Sequence, residues 1–299
     1  RGLDEIDNIP SQVIQHRVSS IALFSPKQRR YQFPFTGFSV NREALDQHLA
    51  HLAERAGAEI ETGVLVRKVV GEEVVTDSGR YRSRVIVGAD GPKSIVARYA
   101  NLNTPHDLYL ALTAQVDGDF RDPVKMYFGS LAPGGYAWVI PKGGCANVGL
   151  GTWSRYEGIK LRELFDDFVS QKEFAPYSVT GGFIPASGPV RRTVAGKVLT
   201  VGDAAGHVMA TNGGGVNLAM ICGRIAGECI AATLLRNEPL ENYEERWREV
   251  VGKPLAIALR TKKLADRFLG SDFWLEFSMK LLGSRRMARA IRCKRIFRR

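Results

Sequence analysis

Cysteine is scarce in this chain: four in 299 residues, at Cys145, Cys222, Cys229 and Cys293. They form no CxxC pair and no Cys/His cluster at metal-ligand spacing. That excludes a disulfide framework and predicts free thiols in a reducing, cytoplasmic compartment. The histidines offer no metal site either. His48 and His51 share one helical stretch without a third ligand, and His16, His106 and His207 show no metal spacing. The longest apolar stretch, 208–235, is interrupted by Arg224 and Glu228 and is rich in glycine, which predicts no transmembrane helix. Internal repeats and low-complexity linkers are also lacking. The chain starts at Arg1 in polar, helix-like sequence, which predicts a piece of a longer protein.

Acid is in short supply. Against 42 Lys and Arg stand 31 Asp and Glu, a formal charge of +11. A basic excess points to a polyanionic partner, nucleic acid or an anionic membrane surface. The excess peaks at the C-terminus, where 285–299 hold eight Lys or Arg and no acid, with Met287, Ile291 and Phe297 interspersed. This tail reads as a solvated end or as a peripheral contact with an anionic membrane. No nucleic-acid module precedes it, so no nucleic-acid partner is expected.

What the chain has in quantity is glycine, 31 residues, many of them clustered. Short apolar runs at 11–40 predict a strand hairpin. From Asn41 the apolar period becomes helical, with Leu45, Leu49, Leu52 and Ala56 in step and Gly57 as the stop. A β-rich block follows, ending in the apolar run Val85–Val87, which predicts a strand buried on both faces of a parallel sheet. Residues 104–150 predict an antiparallel sheet, 159–174 an amphipathic helix, and 198–201 a strand that turns into a long helix ending near Leu235. The remainder, from 241, reads as helical and basic. The organisation expected is an α/β domain over 1–103 with a strand excursion at 11–40, an antiparallel domain over 104–190, a return to the first domain over 191–240, and a basic helical region over 241–299.

Three motifs carry chemistry. The first is Val201-Gly-Asp-Ala-Ala-Gly206, then Asn212-Gly-Gly-Gly-Val216 opening an apolar helix. Asp203 falls at the carboxyl end of a strand, where α/β sheets bind ligands, and can accept a hydrogen bond from a sugar-like hydroxyl. Gly202 lets the chain turn. Gly213, Gly214 and Gly215 clear the backbone for a flat ring or phosphate, and the helix they open aims its N–H groups and positive dipole end at the ligand. The plain alternative is a glycine-rich turn before a closely packed helix. The second motif, Val85-Ile-Val-Gly-Ala-Asp-Gly91, is a strand ending in a turn, with Asp90 as an indirect contact to the same ligand. The third, Asn41-Arg42, sets a cation at a helix start, against the dipole, as if held by an anion. Tyr136 and Trp138 alternate on one strand face after Gly134 and Gly135, as core or as the wall of an apolar tunnel.

Together these motifs resemble the para-hydroxybenzoate-hydroxylase-like flavoproteins, and among them the geranylgeranyl reductases, from about residue 10 to 260. The resemblance implies an FAD-binding, Rossmann-like α/β domain lacking its first βαβ segment, with an inserted antiparallel-sheet substrate domain. It implies FAD contacts at Arg42, Val66, Asp203, Gly215 and Val216, beside those read at Asp90, Gly202, Gly213 and Gly214. The segment Gly134–Pro141 is similar to the family's YxWxFP motif, with Ile140 for Phe, and implies substrate contacts at Gly135, Tyr136 and Trp138. No GxGxxG occurs, and Ala210-Thr211 stand where relatives carry Pro before the glycines. The activity implied is flavin-dependent reduction of isolated C=C bonds in prenyl lipids, fed by an external electron donor, NAD(P)H or ferredoxin-like. The proton donor is unassigned, with Tyr136 a candidate. A flavin monooxygenase or halogenase of the same superfamily and a non-catalytic remnant stand as alternatives.

Overall fold

The computed structural model describes residues 9–153, 160–292 and 294. The polar start at 1–8 and the end of the basic tail, 293 and 295–299, Phe297 included, lie outside the described residues. In chain order the elements are β1 (Ile14–Phe24), β2 (Arg30–Val40), α1 (Arg42–Arg55), β3 (Val66–Val70), β4 (Glu73–Thr76), β5 (Arg80–Arg82), β6 (Ile86–Gly88) and α2 (Ile95–Tyr99). Then follow β7 (Leu108–Phe120), β8 (Val124–Tyr127), β9 (Tyr136–Pro141), β10 (Gly143–Trp153), α3 (Leu161–Gln171) and β11 (Pro176–Pro185). Last come β12 (Val194–Ala195), β13 (Val198–Thr200), α4 (Val216–Arg236), α5 (Asn242–Trp247), α6 (Lys253–Ala265) and α7 (Asp272–Ile291).

The chain divides into two compact units. A sheet unit comprises the described parts of Asn8–Ala58, Tyr109–Phe183 and Thr261–Arg299. Its seven-stranded sheet runs β11-β7-β10-β9-β8-β1-β2. Neighbouring strands whose register is defined are antiparallel, except β1 beside β8, which run parallel with Ile21 opposite Val124 and Leu23 opposite Met126. This pairing takes the hairpin expected as an excursion of the first domain into the sheet. β11, which its prolines and the Gly181-Gly182 pair conceal in the sequence, is an edge strand, where missing N–H donors are tolerated.

Alternation gives the sheet two different faces. Ala137, Val139, Ala146, Val148 and Leu150 point one way and pack with Phe165, Phe168 and Val169 of α3. Leu161, Leu164, Phe165 and Phe168 recur at the helical period, which is why α3 buries a single stripe. On the other side Leu23, Phe33 and Met126 pack with Leu275, Met279 and Met287 of α7.

The α/β unit comprises Glu59–Leu108 and Ile184–Arg260. β6 and β13 pair in parallel, Thr200 opposite Gly88, and β12 joins β13 antiparallel. β3, β4 and β5 form a separate meander. The core lies between β13 and α4, α5 and the following turn, where Leu199, Leu218, Ile225, Tyr243 and Trp247 meet. α4 is long and apolar enough to cross a membrane by composition, yet Leu218, Ile221, Cys222, Ile225 and Cys229 are buried in this core. The run Val85–Val87 departs from expectation. Ile86 is buried, but Val87 is 41% exposed, because β6 is the edge of its three-stranded sheet among the described residues and that face is not covered.

Candidate functional site

The glycine-rich motif sits at the carboxyl end of β13. Val201 extends the pairing by donating its N–H to the Gly88 carbonyl at 3.0 Å. Gly202 then takes a left-handed φ of 59°, and Gly202–Ala205 close a 3-10 turn that carries Asp203. Gly206 follows with φ 68°, and a Cβ there would overlap the Gly188 carbonyl oxygen. The chain doubles back in a tight turn. Met209 N–H donates to the Gly214 carbonyl at 3.0 Å, Gly213 N–H to the Met209 carbonyl at 2.9 Å, and Gly214 N–H to Asn212 Oδ1 at 3.0 Å. Gly213 is left-handed, at φ 65°. Gly215 is the N-cap of α4 and has no side chain of its own to cap it. A Cβ on Gly215 would stand 3.1 Å from Asp203 Oδ1 and 3.1 Å from Val208 Cγ2. The bare backbone thus brings the Asp203 carboxylate against the positive end of a 21-residue helix.

Of the residues singled out in the sequence, Gly202, Asp203, Gly213, Gly214, Gly215 and Val216 therefore share one turn and the helix start it feeds. Asp90 lies at the same end of the neighbouring parallel strand, two residues past Gly88. Its carboxylate is engaged, accepting Ile95 N–H at 2.7 Å and Val96 N–H at 3.2 Å at the start of α2, while Ser94 caps Ala97. Val66 opens β3 opposite Thr76. Arg42 belongs to the sheet unit, at the first position of α1. The anion beside it is its own Asp46, one turn on, at 3.2 Å.

A brace that only the fold assembles stands behind the turn. His207, which directly follows the Gly206 turn, is fully buried with its ring centroid 4.6 Å from that of Trp247. Among the described residues neither ring nitrogen has a hydrogen-bond partner. Burial, aided by the Arg248 charge, pushes its pKa down to about 3. Trp247 is held in turn by its indole N–H donating to Thr193 Oγ1 at 3.0 Å, and Thr193 N–H by Glu244 at 3.0 Å. No local pattern announces a brace whose halves are forty positions apart in sequence.

In the sheet unit, Tyr136 and Trp138 project from β9 on the face opposite α3. Phe128, Tyr136 and Trp138 make a continuous aromatic row, with centroid separations of 5.6 and 5.8 Å. Trp138 is anchored, donating its indole N–H to Asn147 Oδ1 at 2.8 Å, and Asn147 Nδ2 reaches Thr113 Oγ1 at 2.7 Å. The indole lies flat over β10 because Gly149 is bare there; a Cβ would overlap the ring. Asn147 and Thr113 were not foreseen, since only strand register makes them neighbours. Gly135 has a packing reason of its own. A Cβ there would run into the Gly151 carbonyl oxygen, so strand packing by itself requires glycine at this position. Burial raises the Tyr136 hydroxyl well above the usual phenol range. Among the described residues no group of His, Cys, Asp and Glu could hold a metal ion.

Against known proteins, the geranylgeranyl reductase catalytic domain matches residues 108–181. Digeranylgeranylglycerophospholipid reductase 2 of Methanothermobacter thermautotrophicus is 36% identical over 77% of this chain and 65% of its own length. The digeranylgeranylglycerophospholipid reductase of Methanocaldococcus jannaschii is 32% identical over 87% of this chain and 73% of its own. The chain thus spans about two thirds of the length of the curated relatives it matches. Among solved structures, a geranylgeranyl bacteriochlorophyll reductase-like protein of Thermoplasma acidophilum superposes with TM-score 0.78 at 24% identity, covering 92% of this chain and 78% of that one. A mutant of the flavin-dependent brominase Bmp2 gives TM-score 0.71 at 16% identity over 97% and 81%. These likenesses establish the fold, one shared by flavin-dependent oxidoreductases of different chemistry.

Proposed function

The chain belongs to the geranylgeranyl reductase family, and from that premise we propose that it reduces isolated carbon–carbon double bonds in prenyl chains of lipids or lipid precursors, with FAD as cofactor. The observation that carries the reading is the bare Gly213–Gly215 backbone, which sets the Asp203 carboxylate against the start of α4. These residues fit the group. Glycines leave the backbone open, the helix start favours negative charge on the ligand, and Asp203 accepts from a hydroxyl. Gly202 and Val216 complete that cradle. Asp90 acts indirectly, since its carboxylate already caps α2. Arg42 and Val66 are carried by the family's pattern, and Arg42 would exchange its Asp46 partner for the cofactor.

Reduced FAD, when bound, supplies the hydride. The chain's own share is orientation and shielding from water. An isolated alkene has no carbonyl to polarise, so the barrier must fall through positioning, which is worth roughly 7–11 kcal/mol where reactants are well held. Tyr136 and Trp138 offer an apolar, anchored wall for that purpose. Tyr136 keeps its proton across the physiological range, as a donor must, while the donor itself stays unassigned. The electrons come from an external donor, NAD(P)H or ferredoxin-like. In this reading the chain works in the cytoplasm, attached peripherally to an anionic membrane that holds its substrate.

The full-length protein should purify with flavin absorbance, and Asp203→Ala should lower flavin affinity about tenfold, the worth of one charge-assisted hydrogen bond. Dithionite-reduced protein given a geranylgeranyl lipid should add two hydrogens per double bond by mass spectrometry. Gain of an oxygen atom with NAD(P)H would establish the monooxygenase reading instead. A full-length protein that binds no flavin on titration overturns the cofactor.

A further inference from the structure

α7 buries one side and leaves the other uncovered. Leu275, Met279 and Met287 enter the core of the sheet unit. Opposite them Phe273 is 68% exposed, Trp274 53%, Phe277 54% and Leu281 67%. At 3.6 residues per turn these four fall within about 100° of arc, a single stripe centred away from the buried one. The rings are organised among themselves, with centroid separations of 5.3 Å between Phe273 and Trp274 and 6.2 Å between Trp274 and Phe277. Scattered exposed apolar residues need no explanation, whereas a contiguous aromatic stripe on a surface does.

Charge says what covers it. α7 has two acids, Asp272 and Glu276, and both are engaged with loops of the same unit. Asp272 accepts Ser130 N–H at 2.8 Å. Glu276 accepts Lys27 N–H at 3.1 Å, pairs with Arg29 at 3.7 Å, and its side chain is only 12% exposed. From Phe277 to Arg292 the only charged residues are Lys280, Arg285, Arg286, Arg289 and Arg292. Gly283, with φ 64°, breaks the helix between the aromatic stripe and most of these cations. A second copy of the chain would press like charges together along with the stripe. An anionic bilayer would take the rings among its acyl boundary and the cations among its headgroups.

We propose that the exposed stripe Phe273, Trp274, Phe277 and Leu281 of α7 is the surface by which this protein inserts into the interface of an anionic lipid bilayer, with the exposed Lys280 and Arg285 beside it bound to lipid headgroups. The proposal deepens the membrane part of the proposed function and rests on it for the class of partner. It goes beyond the basic tail, because it requires apolar insertion as well as charge. The inner side of α7 packs in the same cluster as Tyr136, so the inserted helix lies beside the aromatic face assigned to the prenyl chain.

The test is binding of the full-length protein to vesicles of phosphatidylcholine alone and with a third phosphatidylglycerol. Wild type should bind the anionic vesicles, and high salt should weaken the binding without abolishing it. The triple variant Phe273→Ser, Trp274→Ser, Phe277→Ser should bind at least about tenfold more weakly, with circular dichroism and flavin content unchanged. Since that variant alters three residues, wild type carries an independent readout. Lipids brominated in the acyl chain should quench a tryptophan signal that the conservative Trp274→Phe removes. Wild-type binding with an unaffected triple variant and no bromine quenching overturns α7 as the surface and leaves peripheral attachment standing. Failure of wild type to bind any vesicle, with prenyl reduction intact in detergent, overturns the membrane reading as well. A dimer that the triple variant splits would make the stripe a self-association surface and overturn the proposal.

Discussion

Buried His207 stays uncharged in the folded protein down to about pH 3, and that has a measurable cost in acid. Its pKa falls from 6.5 to about 3 because the ring is buried against Trp247 with Arg248 close by. In the unfolded chain the same ring takes up a proton below pH 6.5. Between those values the unfolded state binds the extra proton, so this contribution is complete above pH 6.5 and is lost as pH falls toward 3. The loss approaches about 1.4 kcal/mol per pH unit. Carboxylates titrate in the same range, so the informative quantity is a difference. Unfolding free energies from urea titrations of wild type and His207→Phe should diverge in slope by about 1 kcal/mol per unit between roughly pH 6 and 4. Parallel slopes would mean that the folded protein protonates the ring normally. The neighbouring glycines act at the same scale. Gly206 has a positive φ and no room for a Cβ, and Gly215 admits one only by displacing Asp203 or Val208.

At the scale of elements, β9 and β10 place the aromatic wall. Their register sets Gly149 opposite Trp138 and Asn147 opposite Ile140, so the indole crosses the bare backbone and finds an acceptor beyond it. Trp138→Ala should lower prenyl reduction more than tenfold while flavin content stays close to wild type and the fold persists, at a stability cost no smaller than that of losing the Asn147 hydrogen bond, if the ring lines the substrate path. Asn147→Ala leaves the indole N–H without its acceptor and should cost about 1–3 kcal/mol of stability with a smaller loss of activity. Gly149→Ala should destabilise by about 1–3 kcal/mol through overpacking. Differential scanning calorimetry with steady-state rates on the three variants separates these outcomes. If Trp138→Ala unfolds or loses flavin, the ring is core and the wall lies elsewhere. Elements differed in how openly the sequence announced them. The hairpin at 11–40, the helix capped by Asn41 and the amphipathic α3 follow local periods. β11 did not, because its prolines and paired glycines suit an edge that only the completed sheet provides.

At the scale of the whole molecule, the sheet unit gathers three separate stretches of chain and the α/β unit is assembled from stretches that alternate with them. By itself the sequence determined the motif chemistry: the Gly202–Asp203 turn, the three glycines opening α4, the aromatic pair on one strand, and through them the family. These depend on which residues are neighbours along the chain, and a backbone that must turn or lie bare shows itself as glycine. The tertiary structure alone decided what those residues touch. It spent the Asp90 carboxylate on α2 and gave Gly135 to strand packing. It joined the hairpin to the sheet through β1 and β8, braced His207 with Trp247, and turned the aromatic side of α7 outward. Each of these is a contact between positions far apart in sequence or a choice of which face is covered. Local periodicity carries the face of an element but not its partner, because pairing between distant segments is selected by how all the faces pack at once.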